Sequence, residues 1–294
     1  MCTYKVITDS TCDLPPHITK NLDIHVIPME FVMDGISQFH DIADSGDKTK
    51  AFYNHLRRGK VSTTSMINTA RFTDIFTTYL SEGLDVLYIS FSSGLSGCYN
   101  ASRMAAEELL EAYPERKIFT LDSKAASIGQ GLLVHHAAML KNEGYSIDQL
   151  ASWVEENKNS LCHWFTVEDL QHLKRGGRIS PLSANVGTAL QIKPILSVDL
   201  EGRLITQGKV MGRKKSLFEL VARMKTGALL PKEQTVIIGH GDALEDALFL
   251  EKKIRQELGV KDVILTYIGP VIGSHTGPGM IGLTFIGRRD PKIS

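Results

Sequence analysis

Ser92-Ser93-Gly94-Leu95-Ser96-Gly97 is the stretch best equipped for chemistry. It follows an apolar run, Asp85 to Phe91, and precedes Ala101 to Tyr113, where apolar residues recur at helical spacing. A strand, a loop of small residues and a helix start gather backbone N–H groups and hydroxyls around one point, where the helix dipole favours negative charge. Such a turn suits an anion. A second hydroxyl cluster, Ser62-Thr63-Thr64-Ser65, also precedes a helical pattern and reads most simply as a set of helix caps. His275, in Gly273-Ser274-His275-Thr276-Gly277-Pro278-Gly279, is the histidine that could act with these hydroxyls.

Two chemistries fit. The strand–turn–helix context is that of a nucleophile elbow, with Ser96 or Ser93 as nucleophile and His275 as base, which would make a serine esterase. Against it, Gly94-Leu95-Ser96-Gly97-Cys98 is not GxSxG, and no acidic partner for His275 stands out. Hydroxyls and a histidine beside helix starts equally suit a carboxylate that is held and not attacked. The residue types leave both open.

Other motifs carry less. No GxxxxGK[ST] string is present. Gly277-Pro278-Gly279-Met280-Ile281-Gly282 matches GxGxxG, but it leads into extended-looking Leu283 to Ile286 rather than a helix. The ten histidines are scattered without HExxH, and the adjacent His135 and His136 point to different helix faces, so no metal is expected. Ser45-Gly46-Asp47-Lys48 fits SxxK by chance in a polar loop.

Composition narrows the class further. Lys+Arg and Asp+Glu balance at 33 each, so no global field draws the chain to nucleic acid. The four cysteines, Cys2, Cys12, Cys98 and Cys162, have neither CxxC pairing nor dense spacing, which points to reduced thiols and a cytoplasmic location. No uninterrupted apolar run reaches the ~18 residues of a membrane span.

The elements that must position these residues alternate. Tyr4 to Thr8 and Ile24 to Pro28 read as strands; between them Asp13 can cap a helix, with Pro15 or Pro16 in its first turn. Asp34 to Lys50 is polar, and Phe52 to Arg58 is helical, stopped by Gly59. Lys117 to Leu121 is a strand, and helices follow from about Ala125 to Asn142 and from Ile147 to Asn157. This alternation predicts a doubly wound, mainly parallel sheet, with Ser10, Thr64, Ser93 and Ser96 gathered beyond the carboxyl ends of its strands. After residue 158 the rhythm changes. Trp164 to Val167 is strand-like, Val167 to Lys174 helical, and Ile192 to Val198 and Arg203 to Met211 form a hairpin. Helices at Leu217 to Lys225 and Ala243 to Leu258, and strands at Thr235 to Gly239, Asp262 to Ile268 and Gly282 to Ile286, complete an α+β region. The fold class is therefore α/β, with an N-terminal α/β domain (1–158) and a C-terminal α+β domain (159–294) whose sheet is largely antiparallel.

Several strings, taken in order, resemble the DegV family: Thr8-Asp9-Ser10 with Asp13-Leu14-Pro15, Thr64-Ser65, Ser92 to Gly97, Asp122-Ser123, Arg175-Gly176-Gly177-Arg178-Ile179-Ser180, Ile192-Lys193-Pro194-Ile195-Leu196, and His275-Thr276-Gly277-Pro278-Gly279. The resemblance spans essentially the whole chain. It implies a fatty-acid-binding protein of the FakB type, not itself an enzyme, needing no cofactor and acting as a monomer. Such a protein holds a long-chain fatty acid such as palmitate in a tunnel between two domains and presents its carboxylate to a fatty acid kinase, whose acyl phosphate feeds phospholipid synthesis. By the same resemblance Thr64 and Ser96 would bind the carboxylate with His275 as third partner, and Ser65 and Ser93 stand beside them. Arg175 and Arg178 would either close a helix C-terminus or form a surface for the kinase or for transient contact with an anionic membrane. Two positions depart from the family pattern: Met66-Ile67 replaces Gln-Pro, and Cys98 replaces threonine.

Overall fold

Strand-forming runs separated by amphipathic helices produce, in the computed structural model, an α/β protein whose described residues are 3–43, 46–168, 170–179 and 191–289. Cys2, Ser45 and Ser180, which belong to features noted above, lie outside them. The chain begins β1 (Tyr4–Asp9), α1 (Pro16–Asn21), β2 (Ile24–Ile27), β3 (Met29–Met33), β4 (Ile36–His40), α2 (Gly46–Arg57) and β5 (Ser62–Ser65). It continues with α3 (Thr69–Ser81), β6 (Asp85–Ser90), α4 (Cys98–Ala112), β7 (Ile118–Asp122), α5 (Ile128–Asn142) and α6 (Ile147–Asn157). Then come β8 (Leu161–Thr166), α7 (Gln171–Arg175), β9 (Ile192–Val198), β10 (Leu204–Met211), α8 (Arg213–Gly227), β11 (Thr235–His240), α9 (Leu244–Leu258), β12 (Asp262–Tyr267), α10 (Pro270–Thr276) and β13 (Ile281–Ile286).

Among the described residues the strands form three sheets. A parallel sheet has the order β2-β1-β6-β7, and a six-stranded sheet has the order β10-β9-β8-β13-β11-β12, antiparallel except where β11 meets β12. The third sheet, β4-β3-β5, is small and antiparallel. It runs through two stretches expected to be loop and cap. β4 lies inside the polar 34–50 segment because four of its five residues are exposed, so it lacks the apolar alternation that marks a half-buried strand. β5 occupies the hydroxyl cluster, and α3 is capped instead by Asn68, whose side chain accepts from Arg71 N at 3.0 Å. Asp13 likewise does not cap α1. Pro15 precedes that helix and Pro16 opens it, while Asp13 adopts φ +50° and turns its carboxyl elsewhere.

Helix α5 lies between the two large sheets. It is buried around most of its circumference, as a helix with so little polar surface must be. One continuous core contains α5 residues such as Leu132 and Leu133 with Val6, Leu87 and Ile89 from the parallel sheet and Leu161, Phe165 and Leu196 from the mixed sheet. Each such aliphatic side chain contributes about 1.5–3 kcal/mol through burial. The facing sides of α5 carry small residues where backbones approach. A Cβ at Gly131 would sit 2.4 Å from the Cys12 carbonyl oxygen, and one at Gly129 would sit 1.7 Å from His163 Nε2.

Polar groups trapped beside α5 bind one another. Asp9, fully buried, accepts from Tyr88 OH at 2.7 Å and from the Thr11 hydroxyl, and Gln130 Nε2 donates to Thr8 Oγ1 at 2.9 Å. Burial pushes the Asp9 carboxyl above the ordinary range.

Because the Cys12 carbonyl cannot retreat as a flexible side chain can, Gly131→Ala is expected to destabilise the protein by about 1–3 kcal/mol, although alanine is the better helix former. A urea unfolding midpoint that stays level or rises would show that α5 has slack against the parallel sheet.

Candidate functional site

A cavity of about 240 Å³ lies between the parallel and mixed sheets. Met29, Phe91, Leu95, Ile128, Leu173 and Val271 are among its apolar lining residues. At one place on its wall three sequence-distant elements converge. β5 brings Thr64 and Ser65, the loop before α4 brings Ser96 and Gly97, and α10 brings His275 and Thr276.

Local structure explains the convergence. The alternation of a strand puts Ser62 and Thr64 on one face of β5, and both meet α10. Ser274 Oγ and Ser62 Oγ are 2.7 Å apart, and Thr64 Oγ1 lies 2.9 Å from His275 Nε2. The Thr64 partner in β3 is Phe31, so the register of this small sheet sets the position of the hydroxyl. α10 is held in turn at its start. Gly269 N donates to Asp13 Oδ1 at 2.8 Å, and Ser127 Oγ, from a residue lining the cavity, donates to Asp13 Oδ2 at 2.6 Å. Gly176 and Gly277 leave room for His275 and His172. A Cβ at Gly176 would fall 2.2 Å from His275 Nδ1, and one at Gly277, where φ is +75°, would fall 2.5 Å from the His172 ring.

Ser96 is half-buried at the start of α4. Its oxygen accepts from Cys98 N at 3.3 Å and lies 3.3 Å from Cys98 Sγ. The N-cap Gly97 has no side chain to offer and Ser96 takes the Cys98 N–H, so the remaining first-turn N–H groups of α4 and the Ser96 hydroxyl stand in this region. The cavity reaches solvent here, since Ser65, Met66 and Gly97 line it and are exposed. The other residues of the turn serve the scaffold. Ser92 Oγ donates to Gly202 O at 2.8 Å, fastening the turn to the β9–β10 hairpin. Ser93 is exposed outside the cavity lining, and its hydroxyl accepts from Lys124 Nζ at 2.9 Å. Ser10, expected with the gathered hydroxyls, is buried and receives Met29 N at 2.9 Å.

Thr64, Ser65, Ser96 and His275 are thus brought together, and Ser93 is not. Arg175 is exposed, but Arg178 is half-buried at the cavity wall, and its guanidinium donates to Gly176 O just beyond α7. Sequence reading left Arg178 either closing a helix C-terminus or on a partner surface, read Asp13 as a helix cap and Ser62 as one hydroxyl of a cap cluster, and did not single out Ser127; the observed roles depend on tertiary contacts. His163 and Thr284 also line the cavity unannounced.

Electrostatically the cluster is neutral apart from Arg178. Burial, then the Arg178 and His172 charges, lower His275 to about 4, so its imidazole is uncharged near pH 7. Its Nδ1 has no partner among the described residues. No carboxylate among the described residues therefore orients it as a catalytic base would be oriented. The described residues include no group of three or more His, Cys, Asp or Glu able to hold a metal, and no helix long and apolar enough to cross a membrane. Cys12, Cys98 and Cys162 are free thiols.

These shifts fix a pH dependence. His275, His136 and His240 are lowered to about 4 by burial, and His163 is also held well below its ordinary range, so the unfolded chain takes up their protons first and stability falls as pH drops from about 6.5 towards 4. Burial raises Asp13 to about 7, so it contributes the opposite slope: its folded form keeps a proton that the unfolded chain releases. The histidines outnumber Asp13 and Asp9. Urea midpoints should therefore fall between pH 6.5 and 4.5, more steeply in Asp13→Asn, and a midpoint that rises on acidification would contradict this.

The chain matches, over residues 3–288, a family model described as an uncharacterised protein of the DegV family. It is 48% identical over 287 residues to a DegV domain-containing protein of Clostridium perfringens, covering 98% of each chain. Among solved structures it is similar to a DegV lipid-binding protein from Thermotoga maritima, with a TM-score of 0.86, 28% identity and coverage of 99% of this chain and 100% of that one. A DegV family protein from Thermus thermophilus, described by its fatty acid binding, gives a TM-score of 0.87 at 29% identity, over 97% of this chain and 99% of the other. The α/β architecture, its parallel and mixed sheets and the strings along its whole length all lead to one conclusion: this chain belongs to the DegV family.

Proposed function

We propose that the protein binds a long-chain fatty acid, with the acyl chain in the cavity between the sheets and the carboxylate at Thr64, Ser96 and His275. The observation that carries this reading is the polar cluster at the open end of an otherwise largely apolar cavity. A carboxylate leaving water needs several donors. With His275 neutral, a proton on Nε2 would be given to Thr64 Oγ1, which frees the Thr64 hydroxyl hydrogen for the ligand. Ser96 and the start of α4 add further donors. Burial of the tail contributes about 0.8 kcal/mol per methylene, so the chain supplies most of the affinity and the head group sets the register. The fatty acid binding of the Thermus thermophilus relative supports the same ligand class.

The accessible head-group end suits delivery. A fatty acid kinase in the cytoplasm would reach the carboxylate past the exposed Ser65 and Met66, with Arg175 on the approach, and its acyl phosphate would enter phospholipid synthesis. The chain itself acts as carrier and not as catalyst. The serine esterase reading loses its geometry, since His275 bonds Thr64 and no acid holds its other nitrogen among the described residues. The two units, 1–158 and 159–294, would then be the two walls of the binding site.

Native mass spectrometry of the purified protein is expected to show co-purified long-chain fatty acid. In Thr64→Ala/Ser96→Ala that mass should be lost, because each hydrogen bond to a charged group contributes about 1.5–3 kcal/mol, so the pair amounts to a hundredfold or more in affinity. Retention of the lipid by the double variant would overturn the head-group assignment. Fluorophosphonate probes should leave the protein unlabelled, and stoichiometric labelling of Ser96 would restore the esterase.

A further inference from the structure

Away from the head-group cluster, two buried polar residues of the cavity wall are short of partners, His163 with its Nε2 packed against Gly129 of α5. His163 on β8 and Thr284 on β13 are directly opposite each other in the antiparallel register and both line the cavity. They stand on the face of the mixed sheet shared with Phe165 and Gly282, where Ile128 and Gly129 of α5 pack; the opposite face, carrying Trp164 and Leu283, covers α8. His163 is 4% exposed and Thr284 1%. Neither a His163 ring nitrogen nor the Thr284 hydroxyl reaches a partner at full hydrogen-bond distance and angle among the described residues; the Leu161 backbone bears on the imidazole as a weak partner.

Buried donors and acceptors are nearly always satisfied, so two opposed unsatisfied ones on a ligand cavity point to a partner that arrives with the ligand. We infer that His163 and Thr284 form a second polar station, which recognises a hydroxyl group carried partway along the chain of a fatty acid. This rests on the fatty-acid reading above and narrows its substrate class. The chemistry of the pair matches a hydroxyl. A neutral imidazole offers one N–H and one lone pair, and threonine offers both roles in one atom, so a ligand O–H can donate to one and accept from the other. Burial keeps His163 well below its ordinary range and hence uncharged. A second carboxylate finds no free cation there among the described residues. Arg289, whose charge acts on His163, is spent on the backbone carbonyls of Val198, Lys158, Lys124 and Asp199. A plain methylene chain leaves both groups unpaired, and a site built to bind a hydroxyl discriminates against the analogue without one.

The test is calorimetric titration of the delipidated protein with octadecanoic acid and with a series of octadecanoic acids bearing one hydroxyl at successive carbons. At least one isomer is expected to bind about tenfold tighter than octadecanoic acid. Thr284→Val, which keeps the shape and removes the hydroxyl, should abolish that advantage while octadecanoic acid binds at least as well as before. Thr284→Ser should preserve it. The inference is overturned if octadecanoic acid matches or exceeds every isomer in the unaltered protein, a result that needs no variant to fold, or if Thr284→Val keeps the preference. Failure of every acid to bind would instead sink the fatty-acid reading and this inference with it.

Discussion

Polar groups in the layer between the two large sheets are cut off from water, and that constraint governs how the molecule is built. An unpaired buried donor or acceptor costs about 1–3 kcal/mol, so each must find a partner in the protein or in what the protein binds. Asp9 finds Tyr88 and Thr11, Gln130 finds Thr8, and Asp13 finds Ser127 and the backbone of Gly269. Those closed networks hold the parallel sheet, α5 and α10 in one arrangement. Other buried groups are left incompletely served: Thr166 and one nitrogen each of His135 and His136 lie away from the cavity, whereas His275, His163 and Thr284 line it.

The same constraint makes the proposed head-group cluster a product of the whole chain. Thr64 and His275 are 211 residues apart yet lie side by side, because the small antiparallel sheet sets β5 against α10. Asp13, from the loop after the first strand, anchors the start of α10, and Gly176 leaves room for the His275 ring. A neutral imidazole suits a ligand that must be held and later released, since it donates without forming an ion pair.

Much of this was legible in the sequence. The parallel sheet, the change of rhythm after residue 158, the β9–β10 hairpin and the extended continuation after Gly282 follow from local apolar patterning, which those segments possess because they are buried. The β4-β3-β5 sheet was not legible, because β4 is exposed and β5 is composed of hydroxyl residues that read equally as caps. Of the proposed site, Thr64, Ser65, Ser96 and His275, which the structure brings together, could be named from strings, whereas Ser93, identical in type to Ser96, turns outward to Lys124, a matter of loop geometry. Arg178 gives no local signal of its place at the cavity wall, and His163 looks like any strand residue until its neighbours are known.

The most direct measurement is a crystal structure of the protein saturated with palmitate. The carboxylate should lie within hydrogen-bonding distance of Thr64 Oγ1 and Ser96 Oγ, with His275 behind Thr64 and the tail running inward between the sheets. A carboxylate seated instead at His163 and Thr284, with the tail at the open end, or a lipid bound outside the cavity, would contradict the assignment.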